Sequence, residues 1–160
     1  MEPTRIYTLG DYYKTKFLRE DCHWVKGGNG VAANDCARRL SHKVPKDCIL
    51  VPIPSVHGYN EAFTKMLAYY ADLPYAQCLY RDVNNISLYA KKKRGETVTE
   101  QDTGIYADTG HIPMGKILLV DNVIATGTTM SAAIRAIGKP CEAACIAVDY
   151  DNYNAHKDTL

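Results

Sequence analysis

Residues 117–130 read Ile117-Leu118-Leu119-Val120-Asp121-Asn122-Val123-Ile124-Ala125-Thr126-Gly127-Thr128-Thr129-Met130, and the order of residue types in this stretch decides how the rest of the chain is read. Ile117 to Val120 are branched and apolar, which predicts a buried strand. Asp121 and Asn122 then end it, and a turn of small residues leads into a helix over 131–137 that Gly138 and Pro140 stop. Strand, loop and helix in that order set the loop beyond the carboxyl end of a parallel sheet, where open α/β folds bind ligands. Gly127 lets the backbone curl tightly, the threonine hydroxyls add donors, and the unpaired N–H groups at the helix start offer a seat for a phosphate. Asp121 accepts from hydroxyls. A sugar phosphate fits this order. Taken singly, each feature is ordinary turn and capping chemistry; a GxxxxGK[ST] nucleotide loop is absent, and Lys116 stands before the strand instead.

A second informative stretch is Val51-Pro52-Ile53-Pro54-Ser55-Val56-His57-Gly58-Tyr59-Asn60-Glu61-Ala62-Phe63. Its two prolines restrain the chain just before it turns into a helix, and such a loop can aim backbone amides at an anion. On its own, Asn60 with Glu61 reads equally as helix-start chemistry. Together the stretches carry a resemblance. Residues 117–130 resemble the phosphoribosyl-pyrophosphate signature of the type I phosphoribosyltransferases, and residues 51–63 are similar to the pyrophosphate loop of their competence-associated, amidophosphoribosyltransferase-like branch. The resemblance spans about residues 48 to 149.

That resemblance implies an α/β fold, a parallel twisted sheet flanked by helices, with a small N-terminal hood and a mobile lid. It also implies Mg2+, and phosphoribosyl pyrophosphate as donor of a phosphoribosyl group to a nitrogenous base or amine acceptor, with pyrophosphate released. Carried onto this sequence, Asp121 and Asn122 hold the ribose hydroxyls as catalytic residues, and Ala125, Thr126, Gly127, Thr128 and Thr129 cradle the 5′-phosphate. Ser55, Val56, His57 and Gly58 approach the pyrophosphate, and Asp121 reaches the metal through water. Two departures matter. The family usually has two acids where this chain has Asp121-Asn122, and an amide brings no negative charge to a metal or to an oxocarbenium-like centre. Ala125 stands where some oxopurine salvage enzymes place an aspartate, which disfavours hypoxanthine or guanine as acceptor. A noncatalytic phosphoribosyl-pyrophosphate sensor or regulatory protein is the alternative function.

The remaining sequence agrees with one domain over residues 1–160, a length that buries about two thirds of the unfolded surface. Nineteen basic against eighteen acidic residues give a formal charge of +1, so neither a specific nucleic acid nor a membrane partner is expected. No long apolar segment predicts a membrane span, and the expected compartment is cytoplasmic, with a role in nucleotide metabolism. The oligomeric state is open, a homo-oligomer included. The six cysteines are too few for a disulfide scaffold and lack paired CxxC spacing; they read as core thiols.

Periodicity predicts strands at 5–9, 48–53, 75–80 and 143–148, and helices at 31–40 and 59–73. Residues 12–30 are read as the variable hood. Gly28-Asn29-Gly30-Val31-Ala32-Ala33 imitates a dinucleotide fingerprint but follows no strand, so Asn29 is read as a helix cap. The polar segment 84–113 fits a lid attached by a hairpin arm at Ile86, Leu88 and Tyr89. Its Lys91, Lys92, Lys93 and Arg94 can gather a polyphosphate on closure, or form a solvated charge run. Tyr150 and Tyr153 lie near the expected pocket, with packing as their default role.

Overall fold

Strand β5 (Ile117–Ile124) is the axis of the molecule. In the computed structural model, which describes residues 1–82 and 94–160, it lies between β2 (Ile49–Pro52) and β6 (Glu142–Val148), with β1 (Ile6–Thr8) beyond β6. All three pairings are parallel. The branched residues that predicted a buried strand are the reason: Ile117 to Val120 are fully buried, as a strand covered on both faces requires.

One face of the sheet carries α1 (Leu18–Lys26), α2 (Gly30–Ser41) and α3 (Tyr59–Ala71). Leu18, Cys22, Cys36, Leu40, Phe63 and Leu67 pack there against Leu50, Leu118 and Val120. The other face carries α4 (Thr128–Ile137), whose Met130, Ala133 and Ile134 pack against Val51, Ile117 and Leu119. A short α5 (Tyr150–His156) follows β6, and its Tyr153 is buried in the same core. Parallel strands joined through helices on both faces are the α/β architecture expected from the sequence.

Asn29 caps α2 as expected, its side chain accepting from Ala32 N–H at 2.9 Å. The segment read as the variable hood contains α1, whose Leu18, Cys22 and Val25 are buried at the spacing of one helix face. Charged residues between those three diluted the periodic signal. The strand expected at 75–80 is divided. Tyr75 bridges to Leu50 at the sheet edge, and β3 (Leu79–Arg81) turns away to pair antiparallel with β4 (Ile105–Ala107).

Lys91, Lys92, Lys93 and the proposed hairpin arm at Ile86, Leu88 and Tyr89 lie outside the described residues. The downstream part of the expected lid is fastened to the body: Arg135 pairs with Glu100 at 2.7 Å, Ser131 donates to Glu100, and Asp82 N–H donates to Gly104 O at 2.8 Å. The six cysteines are buried free thiols. Among the described residues no helix is long and apolar enough to cross a membrane.

Candidate functional site

Strand β5 is twice as long as β2. Their ladder ends at Pro52 and Val120, while β5 continues to Ile124 along β6, so Asp121 and Asn122 lie within the strand rather than at its end. That corrects the sequence reading, and the cause is the partner: β6 supports the added residues, while the β2 side stands open. Between β2 and β5 the chain order reverses, since it runs from β2 outward to Tyr75 before returning to β5 on the other side. Ligands of open α/β sheets bind at such switch points. A cleft of about 530 Å3 fills this one.

The strand also changes face here. Leu118 and Val120 face the helical triplet and Ile117 and Leu119 face α4, but Val123 joins the first group and Ile124 the second. The reversal occurs at Asn122, whose N–H turns to Asp121 Oδ1 at 2.7 Å. Both polar side chains are thereby brought to the cleft. Asn122 is 7% exposed, and its Oδ1 is buried without a hydrogen-bond partner, an acceptor awaiting a donor. Burial pushes the Asp121 carboxyl up to about 6, against the opposing effects of the Asn122 N–H, Lys26 and Arg81.

Ala125 to Thr129 line the same cleft. Gly127 sits at φ 89 as the N-cap of α4, and a Cβ there would lie 2.8 Å from Leu160 Cδ1 and 2.9 Å from Tyr153 Cε2. Conformation and space both demand glycine. Tyr153 is thus a packing residue, and Tyr150 is not part of the cleft wall. Thr126 and Thr128 join hydroxyls at 2.9 Å, while the first amides of α4 have no partner within the helix.

Ser55, Val56 and His57, from the loop after β2, line the cleft as well. Gly58, the N-cap of α3 at φ 76, is not among the residues that line the cleft. This loop is tied from within. Asn60, 1% exposed, donates through Nδ2 to Ile53 O and Val120 O, both at 2.8 Å, and so clamps the ends of β2 and β5 together. Arg81 donates to Pro54 O at 3.1 Å. Ser55 N–H and Oγ both donate to Glu61 Oε1, at 2.8 and 2.9 Å.

Arg94, by contrast, is exposed, pairs with Glu96 at 3.2 Å and is not in the cleft wall. Among the described residues, the lysine and arginine that line it are Lys26 of α1 and Arg81 of β3, neither singled out from the sequence. Burial lowers the Arg81 pKa, opposed by Asp121 and Glu61, and its Nε is buried without a partner. A basic residue directly after the apolar Cys78-Leu79-Tyr80 was the available signal for Arg81.

Magnesium prefers hard oxygen donors and keeps several waters or substrate oxygens. Among the described residues no group of three or more His, Cys, Asp or Glu converges to hold a metal ion. Asp121 and the orphaned Asn122 Oδ1 are hard oxygens, so the donor set fits an ion that arrives on a polyphosphate and takes one carboxylate from the chain, directly or through water.

No curated protein sequence matches the chain. Among solved structures, the allosteric regulatory enzyme of purine biosynthesis is similar with a TM-score of 0.50 and 13% identity, over 79% of this chain and 26% of that one. Glutamine phosphoribosylpyrophosphate amidotransferase from B. subtilis has a TM-score of 0.50 and 13% identity, over 73% and 26%. Adenine phosphoribosyltransferase from Leishmania donovani has a TM-score of 0.48 and 18% identity, over 81% and 56%. The chain thus spans about a quarter of the length of the first two, and at these identities the likeness is one of fold. The model of the phosphoribosyl transferase domain matches residues 31–148, which contain both loops and the whole of β5. The chain belongs to the phosphoribosyl transferase domain family.

Proposed function

We propose that this chain binds phosphoribosyl pyrophosphate in the cleft and transfers the phosphoribosyl group to a nitrogenous base or amine, releasing pyrophosphate. The observation that carries the reading is the meeting, in one cleft, of a carboxylate and a buried orphan amide oxygen with a helix-start turn and a proline-stiffened loop. Asp121 and Asn122 take the ribose hydroxyls, and residues 125–129 take the 5′-phosphate on backbone amides and threonine hydroxyls. Ser55, Val56, His57 and Gly58 face the pyrophosphate. Arg81 joins them, since its unpartnered buried N–H is a charge-assisted donor in the same wall. We place the chain nearest the amidophosphoribosyltransferase-like, competence-associated branch on the strength of residues 51–63.

As the bond from the ribose carbon to pyrophosphate breaks, positive charge develops on the ring and negative charge on the leaving group. In this reading Asp121, ionised above a pH of about 6, stabilises the first, and Arg81, which lines the same cleft, stabilises the second. Bound Mg2+ supplies further neutralisation of the pyrophosphate. A second reading, a binding protein that senses the donor without turnover, is favoured by one observation: the neutral Asn122 where the resemblance leads one to expect a second acid.

One experiment separates the two. The chain is incubated with Mg2+, phosphoribosyl pyrophosphate and a panel of bases and amines, and phosphoribosyl products are sought by mass spectrometry. A new product supports the transferase; saturable donor binding with no product supports the sensor; no binding refutes both.

A further inference from the structure

The loop before α3 holds an anion of its own. Glu61 accepts from Ser55 N–H at 2.8 Å and from Ser55 Oγ at 2.9 Å through Oε1, with Oε2 3.2 Å from the same hydroxyl. Ser55 Oγ accepts in turn from Asn60 N–H at 3.2 Å. A backbone amide and a hydroxyl on the cleft wall are the donors a phosphate oxygen would use, and here a carboxylate occupies them. Glu61 is the third residue of α3, which begins after a glycine with no capping side chain. Its charge also reaches the cleft, since it acts on both Arg81 and Asp121.

A capping role explains why an acidic residue stands in the first turn of a helix. It does not explain why the carboxylate spans back six residues to a serine that lines the ligand cleft. We propose that Glu61 is a built-in competitor for the anion subsite, holding the Ser55 donors until a diphosphate displaces it, so that its charge sets the affinity for the diphosphate. This proposal rests on the reading of loop 55–58 as the pyrophosphate wall. In the bound state the Ser55 N–H and hydroxyl turn to the ligand, and the Glu61 carboxylate swings toward solvent. Glu61 is a positioning residue that touches no reacting atom.

The test is Glu61→Gln, which keeps the length and an acceptor oxygen for the Ser55 N–H but removes the charge. A competitor role predicts that Glu61→Gln binds inorganic pyrophosphate about tenfold more tightly than wild type, the scale of one like charge removed from a partly buried site. A purely structural role predicts equal or weaker binding. Calorimetric titrations with inorganic pyrophosphate and with phosphoribosyl pyrophosphate are run side by side. If wild type binds phosphoribosyl pyrophosphate but the variant gains nothing for pyrophosphate, this proposal falls and the function stands. If neither protein binds either ligand, the function falls and takes the proposal with it. The wild-type chain gives a second readout: on adding pyrophosphate, the Ser55 amide and Glu61 carboxylate resonances should both move, and a stationary Ser55 amide would overturn the displacement.

Discussion

The two loops that line the cleft solve one geometric problem in opposite ways. Residues 125–129 form an open turn, shaped by a glycine that has no room for a side chain and lined by helix-start amides without acceptors within the helix. Residues 53–58 form a tied loop, whose polar groups are held by Asn60, Arg81 and Glu61. The open turn is the more preorganised for an anion, since a phosphate there displaces only contacts between neighbouring threonines, the Thr126–Thr128 hydroxyl pair at 2.9 Å and the Thr128 N–H bond to Thr126 Oγ1 at 3.3 Å. The tied loop must exchange internal partners for ligand. Affinity for the phosphate end of a ligand should therefore depend on shape, and affinity for the diphosphate end on charge.

Substitutions break the comparison in order of size. Gly127→Val forces a branched side chain into Leu160 and Tyr153 at a φ of 89; it should cost about 4 kcal/mol of stability in urea unfolding and abolish donor binding. Asn60→Ala leaves Ile53 O and Val120 O without the donor that clamps the strand ends. It should cost about 3 kcal/mol, and a loss under about 0.5 kcal/mol would mean that the tie is not a structural element.

Asp121→Asn acts on the floor between the loops. Because the folded state holds the Asp121 proton up to about 6 against the ordinary 3.8, its ionised form costs stability at neutral pH. The substitution should raise stability at pH 7.5 by on the order of 2 kcal/mol while weakening donor binding. That gain should shrink as pH falls through about 6 toward 3.8 and vanish below, which thermal unfolding from pH 3.5 to 8 would follow. In wild type, donor binding should weaken as pH falls through the same value.

Gly58→Ala is the smallest and sharpens the contrast with Gly127. Its φ of 76 is strained for alanine, but the nearest atom to a Cβ is Glu61 Oε2 at 3.6 Å, so the cost should stay near 1 kcal/mol. A loss as large as that of Gly127→Val would show that the tied loop is also shaped by space.

Much of this was legible in the residues. The apolar run 117–120 gave the central strand because a strand buried on both faces needs no alternation, and Gly127 with its threonines gave the turn. What the sequence hid depends on partners. That β5 outruns β2 follows from where β6 ends, and Lys26 reaches the cleft on a helix that charged residues had masked. Arg81 and Asn60 look like a strand-end cation and a helix-start amide until the fold sets them beside the ends of β2 and β5. The basic run was the conspicuous charge signal; its three lysines lie outside the described residues, Arg94 pairs with Glu96 and is not in the cleft wall, and among the described residues Lys26 and Arg81 stand there.

The central claim is that one donor bridges the open turn and the tied loop, and a crystal structure of the chain with phosphoribosyl pyrophosphate and Mg2+ tests it most directly. The account predicts the 5′-phosphate on the amides of residues 127–129, the ribose hydroxyls on Asp121 and Asn122, and the pyrophosphate against Ser55, His57 and Arg81 with Glu61 withdrawn from Ser55. A donor bound with its 5′-phosphate away from Gly127, or seated outside the cleft, would contradict it.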